Sequence, residues 1–284
     1  MIDLHIHTKQ SIGEYNVQEI LALVKEKDLD IFSITDNDNC LAYNNFDMAK
    51  YPNLISGVIF TTSIDGLLIN IIGYEVNPSI INSFYYEKYS KANIENREYQ
   101  FFDKLVKIMN DNNIKLSDNI QLSLVEKGIS KKLVYYDAEK NNPDFPFLDY
   151  NDFYRNGLSN PFSPFFLNEA SMHLSYKEIF DVIKKAGGLV FLAHPYEYNV
   201  KVEPLIDRLI IEGIDGIEVF HPSAAMRQSL KLINICKENN LRASGGSDFR
   251  KSRYLIPIGI SVHSKLFKAK CFDWLNKYRQ TTSD

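Results

Sequence analysis

The chain alternates short apolar, β-branched runs with stretches whose apolar residues recur at helical spacing, and that rhythm predicts βα units around a largely parallel sheet. IDLHIH at 2–7 reads as the first strand and IFSIT at 31–35 as the second. Between them, Asn16 with Glu19 three residues later forms a capping box, and Ile20, Leu23 and Val24 share one face of the helix it opens. VIFTT at 58–62 and LLINIIG at 67–73 flank Ser63-Ile64-Asp65-Gly66, which predicts a hairpin with a four-residue connection, an antiparallel decoration on the sheet. From 84 to about 113 a charged stretch carries Phe101, Phe102, Leu105 and Met109 at helical spacing, and a segment rich in Pro, Asn and Phe follows to about 167. The βα rhythm resumes at Ser175 and Glu178, a second capping box, and continues through LVFLAH, GIEVF at 216–220, a helix near 223–239, ASGGSD at 243–248 and IGISV at 258–262. A last helix is expected around Trp274.

Composition supports a folded α/β chain: 45% hydrophobic and 13% aromatic residues in 284 suffice for a large core. Lys and Arg total 32 against 36 Asp and Glu, so no global basic field recommends a nucleic-acid partner. Cys40, Cys236 and Cys271 have no zinc or redox spacing and suit a reducing compartment. The opening MIDLHIHT has no basic segment and no long apolar run, and no later run approaches the roughly 18 residues of a membrane span, so a soluble, cytoplasmic protein is expected.

The candidate chemistry lies where apolar strands end. His5 and His7 are two apart on a strand and project, with Asp3, to one face. Thr35-Asp36-Asn37-Asp38 follows IFSI, His194-Pro195 follows LVFLA, and Ser247-Asp248 follows a glycine pair. In a barrel of parallel strands these ends share one rim. A buried rim crowded with His and Asp is costly unless its groups are paired or bind cations, which favours a site over packing.

DLHIHT, SITDND, the Gly73-Tyr74 strand exit, AGGLVFLAHP, GIEVFHP and GGSDF stand in an order that resembles the PHP (polymerase and histidinol phosphatase) phosphoesterases over nearly the whole chain. The resemblance implies a distorted (β/α)7 barrel formed by 1–83 and 173–284, interrupted by a mainly helical insertion at 84–172. It also implies a metal-dependent phosphoesterase whose metal ligands here would be His5, His7, Asp248 and His194. The family's other ligand positions fall on Ile12, Asn37, Ile59, Asn70 and Arg250, which leaves one set concentrated at His5, His7 and Asp248. Two imidazoles and a carboxylate suit a single Zn, Mn or Fe ion with open positions for water, so at most one tightly bound divalent ion, or none, is expected. His194, Arg250 and Asp36 are the catalytic candidates. Arg250, His221 and Lys251, with Arg253 nearby, are candidates for holding a phosphate, Arg250 being equally suited to neutralising Asp36 or Asp38. Glu14, Asp65, Glu75 and Glu218 are expected not to be ligands. The reading is an attenuated phosphoesterase acting on a small phosphorylated molecule such as a nucleotide phosphate; the alternative is an inactive PHP-fold protein that binds a phosphorylated ligand or a protein.

Overall fold

A computed structural model describes residues 1–123, 126, 128–198, 200–251 and 256–279. Arg253 lies outside them. The chain forms two compact units, Met1–Tyr85 with Leu174–Asp284, and Tyr86–His173.

The first unit holds seven strands in sequential order: β1 (Ile2–Ile6), β2 (Ile31–Ile34), β3 (Leu54–Ile64), β4 (Leu67–Tyr74), β5 (Leu189–Leu192), β6 (Gly216–Phe220) and β7 (Arg242–Gly245). Pairing is parallel from β1 to β3 and from β5 to β7, and antiparallel on both sides of β4. Just beyond β7, Phe249 exchanges backbone hydrogen bonds with β1: its N–H donates to His5 O (3.1 Å), and His7 N–H donates to its carbonyl (2.9 Å). The row of strands therefore returns on itself as a distorted barrel. Helices α1 (Val17–Glu26), α2 (Pro78–Lys88), α6 (Tyr176–Lys185), α7 (Val202–Ile211) and α8 (Met226–Glu238) accompany it, and both expected capping boxes are present, at Asn16/Glu19 and Ser175/Glu178.

The expected hairpin differs in two respects. Its connection is two residues, Asp65-Gly66, because β3 runs on to Ile64, and both residues take positive φ (49° and 83°), as a tight type I′ turn requires. Nor is it a decoration: β3 pairs with β2 on one side and β4 with β5 on the other, so the hairpin is part of the wall. IGISV is not a full strand, and pairs with β1 only at Ile260 opposite Ile2. The segment around Trp274 winds as a 3-10 helix, Lys270–Tyr278.

Leu4, Ile6, Ile31, Phe32, Ile71, Phe191 and Ile217 are fully buried in the barrel unit's core. The second unit contains α3 (Lys91–Asp111), α4 (Ile129–Asn141) and the single turn α5 (Tyr150–Asp152). Its own core gathers Phe101, Leu105, Met109, Val134, Tyr135 and Phe153. Buried Glu98 ties the start of α4 by accepting from Gly128 N (2.6 Å) and from Ser130 N and Oγ (3.0 and 2.5 Å). No helix among the described residues is long and apolar enough to cross a membrane.

Candidate metal and phosphate site

Strand direction delivers the polar side chains. The parallel strands β1, β2, β5, β6 and β7 end on one rim, while antiparallel β4 presents Asn70 from its interior. His5 and Glu218, each buried on its strand, meet at the centre: His5 Nδ1 lies 3.0 Å from Glu218 Oε1, and Glu218 Oε2 accepts from His194 N–H at 2.7 Å. The second oxygen thus fixes the exit of β5, where His194 adopts a positive φ of 26°. On the other side of His5, Asp248 Oδ1 stands 3.7 Å from His5 Nε2 and 3.0 Å from His7 Nε2.

Two carboxylates hold this geometry from behind. Asp3, fully buried, accepts from His5 N (3.1 Å), Ser247 N (2.9 Å), Ser247 Oγ (2.5 Å) and Gly259 N (2.7 Å), which locks β1 to the loop that presents Asp248. Asp248 itself sits at φ 53°. Asp36, expected to be catalytic, spends both oxygens on the loop after β1, accepting from Thr8 N (2.7 Å), Thr8 Oγ1 (2.6 Å) and Ser11 Oγ (2.5 Å). Ser11 in turn lies 3.3 Å from His7 Nδ1, which links Asp36 to His7 through one hydroxyl.

Gly246 is required by close approach, because a Cβ there would overlap the Cβ of His5 and lie 2.5 Å from its backbone nitrogen. Gly246→Ala is expected to lower stability by about 1–3 kcal/mol through forced displacement of β1. A melting curve equal to that of the unsubstituted protein would contradict this packing.

His194 and His221 line the same space as His5, with ring centroids 5.8 and 6.1 Å from it and 5.2 Å from each other. The Asn70 amide nitrogen faces His194 Nε2 at 3.3 Å, so this nitrogen accepts and the ring's proton belongs on Nδ1, towards Glu197 Oε2 at 3.6 Å. In that tautomer Nε2 is engaged by Asn70, and His194 belongs to neither of the ligand groups described below. His221 is oriented oppositely: Ser223 N–H donates to its Nδ1 at 3.1 Å, which leaves its proton on the buried Nε2.

The protonation pattern follows from these contacts. Burial disfavours the charged form of His5, but Glu218 beside it outweighs burial and pushes its pKa up to about 9, with Asp248 and Asp3 adding to the effect. Burial, reinforced by His5 and His221, pushes His194 down to about 3. Burial likewise lowers His7. It opposes ionisation of Asp248 and Glu218, yet neighbouring histidines hold both below the ordinary carboxylate range, and Arg250 assists at Asp248.

Among the described residues two groups have donor atoms close enough to hold a metal: His5, His7 and Asp248, and His5, Glu218 and His221. The first fits better. Spacings of 3.0 and 3.7 Å from Asp248 Oδ1 to the two imidazoles suit donors about 2.0–2.2 Å from a common ion. His5 Nε2 is buried with no hydrogen-bond partner, while Glu218 takes the opposite ring nitrogen, as carboxylates do behind metal-bound histidines.

Of the other candidates, Arg250 alone among those described next joins the site. Arg250 forks onto Asp248, with Nε to Oδ1 at 2.9 Å and an Nη to Oδ2 at 2.6 Å, and its expected partner Asp36 is instead bonded to Thr8 and Ser11. Lys251 pairs with Glu14 at 3.2 Å. Asp65 pairs with Arg208 and Glu75 with Lys277, so these acids serve surface ion pairs. Ile12 is half exposed and Ile59 is buried. Sequence reasoning undervalued Glu218; the available signal was a lone acid inside a strand that is otherwise apolar.

No family model matches the chain. A 5'-3' exoribonuclease of Haemophilus influenzae is 24% identical over 254 residues, 87% of this chain and 89% of that protein. An amidohydrolase from Chromobacterium violaceum, solved with bound SO4 and no metal, superposes with a TM-score of 0.64 at 18% identity, covering 93% of this chain and 92% of its own. A presumed metal-dependent phosphoesterase from Bifidobacterium adolescentis gives 0.62 at 20% identity, covering 93% of each. This chain shares the fold of these two solved proteins. Within that fold, the strand-end residues that the sequence motifs single out, His5, His7, His194, His221 and Asp248, come together on the barrel unit, joined by Glu218.

Proposed function

We propose that this protein is a metal-dependent phosphoesterase of modest turnover that hydrolyses a phosphate ester of a nucleotide, with at most one divalent ion held by His5, His7 and Asp248. The observation that carries this reading is the pairing of His5 with Glu218, which leaves the buried Nε2 of His5 without a partner opposite His7 and Asp248. When bound, a Zn, Mn or Fe ion supplies an acidified water and polarises a phosphoryl oxygen.

The chain's own residues do the rest. His221 donates from Nε2 to a phosphoryl oxygen, its tautomer set by Ser223. Arg250, 43% exposed at its side chain, offers a fork matched to a phosphate, and Lys251 adds positive charge beside it. Neutral His194, its Nε2 held by Asn70, keeps one proton on Nδ1 and can offer that N–H as a hydrogen bond to a substrate oxygen, without transferring the proton. Asp36 and Asp3 keep the loops in place. A nucleotide is favoured because the Haemophilus relative is named for action on RNA, and because a related fold holds sulfate, a tetrahedral dianion like phosphate. The net charge of −4 favours a small ester over a long strand. Three buried free thiols agree with a cytoplasmic location.

Purified protein supplied with Mn2+ is expected to release phosphate from nucleotides faster than from a 5'-phosphorylated oligoribonucleotide, and His7→Ala is expected to lower the rate about 100-fold or more. Failure to hydrolyse any phosphate ester with Mn2+ or Zn2+ would leave the second reading, a PHP-fold protein that only binds a phosphorylated ligand. The observation favouring that alternative is the Arg250 fork, which already engages both oxygens of Asp248.

A further inference from the structure

We propose that Arg250 is an anion-released latch on Asp248: the guanidinium competes with a divalent ion for the carboxylate, and a phosphate dianion that draws Arg250 away completes the metal site. This inference rests on the reading of His5, His7 and Asp248 as ligands and adds a regulation that the reading does not contain.

The same oxygen is claimed twice. Asp248 Oδ1 accepts from Arg250 Nε at 2.9 Å and is also the oxygen that faces both imidazoles, 3.0 Å from His7 Nε2 and 3.7 Å from His5 Nε2. Oδ2 is taken by the second arm of the fork. A cation placed among these donors would share its carboxylate with a fixed positive charge a few ångströms away, which weakens its attraction.

The two partners differ in freedom to move. Asp248 is mostly buried, follows Ser247, whose N–H and hydroxyl are tied to Asp3, and precedes Phe249, whose backbone bonds to β1. Arg250 has its backbone carbonyl fixed by Glu14 N–H at 2.8 Å, but its side chain is 43% exposed. The latch therefore opens by rotation of the arginine, not by displacement of the aspartate. A phosphate dianion is the partner suited to move it, since it offers the guanidinium two oxygens in matching geometry and more negative charge than one carboxylate.

Because coupling between two ligands is reciprocal, an anion that releases Arg250 must tighten metal binding by the same factor by which the metal tightens anion binding. The test is Mn2+ binding to the full chain, read from the EPR signal of free Mn2+, with and without phenylphosphonate, a dianion that is not hydrolysed. In the unsubstituted protein phenylphosphonate is expected to tighten Mn2+ binding about tenfold, within the usual range of site coupling. Arg250→Met is expected to bind Mn2+ about tenfold more tightly than the unsubstituted protein without any anion, and to gain nothing further from it. The exposed position makes folding of this variant expected, and its melting curve checks it. An equal gain from phenylphosphonate in both proteins would mean that the anion acts on the metal directly and would overturn the latch. Mn2+ binding indifferent to both anion and substitution would overturn the latch alone. Absence of Mn2+ binding in every combination would overturn the metal reading beneath it as well.

Discussion

Glu218→Gln is expected to weaken divalent metal binding about 10- to 100-fold, although residue 218 touches neither metal nor substrate in this account. Both of its partners are donors, the Nδ1–H of His5 and the backbone N–H of His194. A carboxylate has an oxygen for each, whereas glutamine has one oxygen and an NH2, so one buried donor must lose its acceptor. The ring of His5 loses the contact that keeps its Nε2 turned towards Asp248 and His7. Mn2+ titration of the variant checks this; affinity within about twofold of the unsubstituted protein would show that Glu218 does not orient His5.

The same substitution has a pH signature in metal-free protein. His5 has its pKa raised from 6.5 to about 9 in the fold, so its contribution to stability is fully present below about pH 6.5 and is lost as pH rises through 9. Glu218 is shifted the other way, so its contribution is present above its ordinary value near 4.5 and is lost as pH falls through the lowered one. The pair is worth most between roughly pH 4.5 and 6.5, and the His5 shift corresponds to about 3 kcal/mol. With glutamine at 218, burial of His5 is opposed only by Asp248 and Asp3, which act more weakly than Glu218, and the alkaline loss should shrink. Melting temperatures of the two metal-free proteins are expected to differ most near pH 6 and to converge towards pH 9.5; parallel curves would show that the pair contributes no such linkage.

How much of this was legible in the sequence depends on the distance over which each fact is decided. The capping boxes at Asn16 and Ser175 involve neighbours three residues apart, and both formed as read. His5 and His7 share a strand, so their common face followed from the two-residue period. Their approach to Asp248 was expected from the order of strand-end motifs, which a barrel turns into proximity. The contact of Glu218 with His5 was not legible because the two are 213 residues apart, and only the relative register of β1 and β6 makes them meet. The partners of Asp36 were not legible for a similar reason: its oxygens are used by Thr8 and Ser11, in a loop whose path the sequence does not specify. The Arg250 fork is local, yet it depends on the positive φ of Asp248, a conformation that an aspartate after Gly-Gly-Ser does not advertise. The two-residue turn at Asp65-Gly66 was hidden because Ser63 and Ile64 fit a strand as well as a loop.

His5, His7 and Asp248 are proposed to form a single metal site in which Glu218 has a supporting part. The most direct measurement is the metal content of purified protein after loading with Mn2+ or Zn2+ and removal of the excess, with His7→Ala alongside. Two imidazoles and a carboxylate lose too much on removal of one imidazole to retain an ion through that treatment. One ion per chain in the unsubstituted protein, and about none in His7→Ala, is the predicted result. Two or three ions per chain, or one ion retained by His7→Ala, would contradict it.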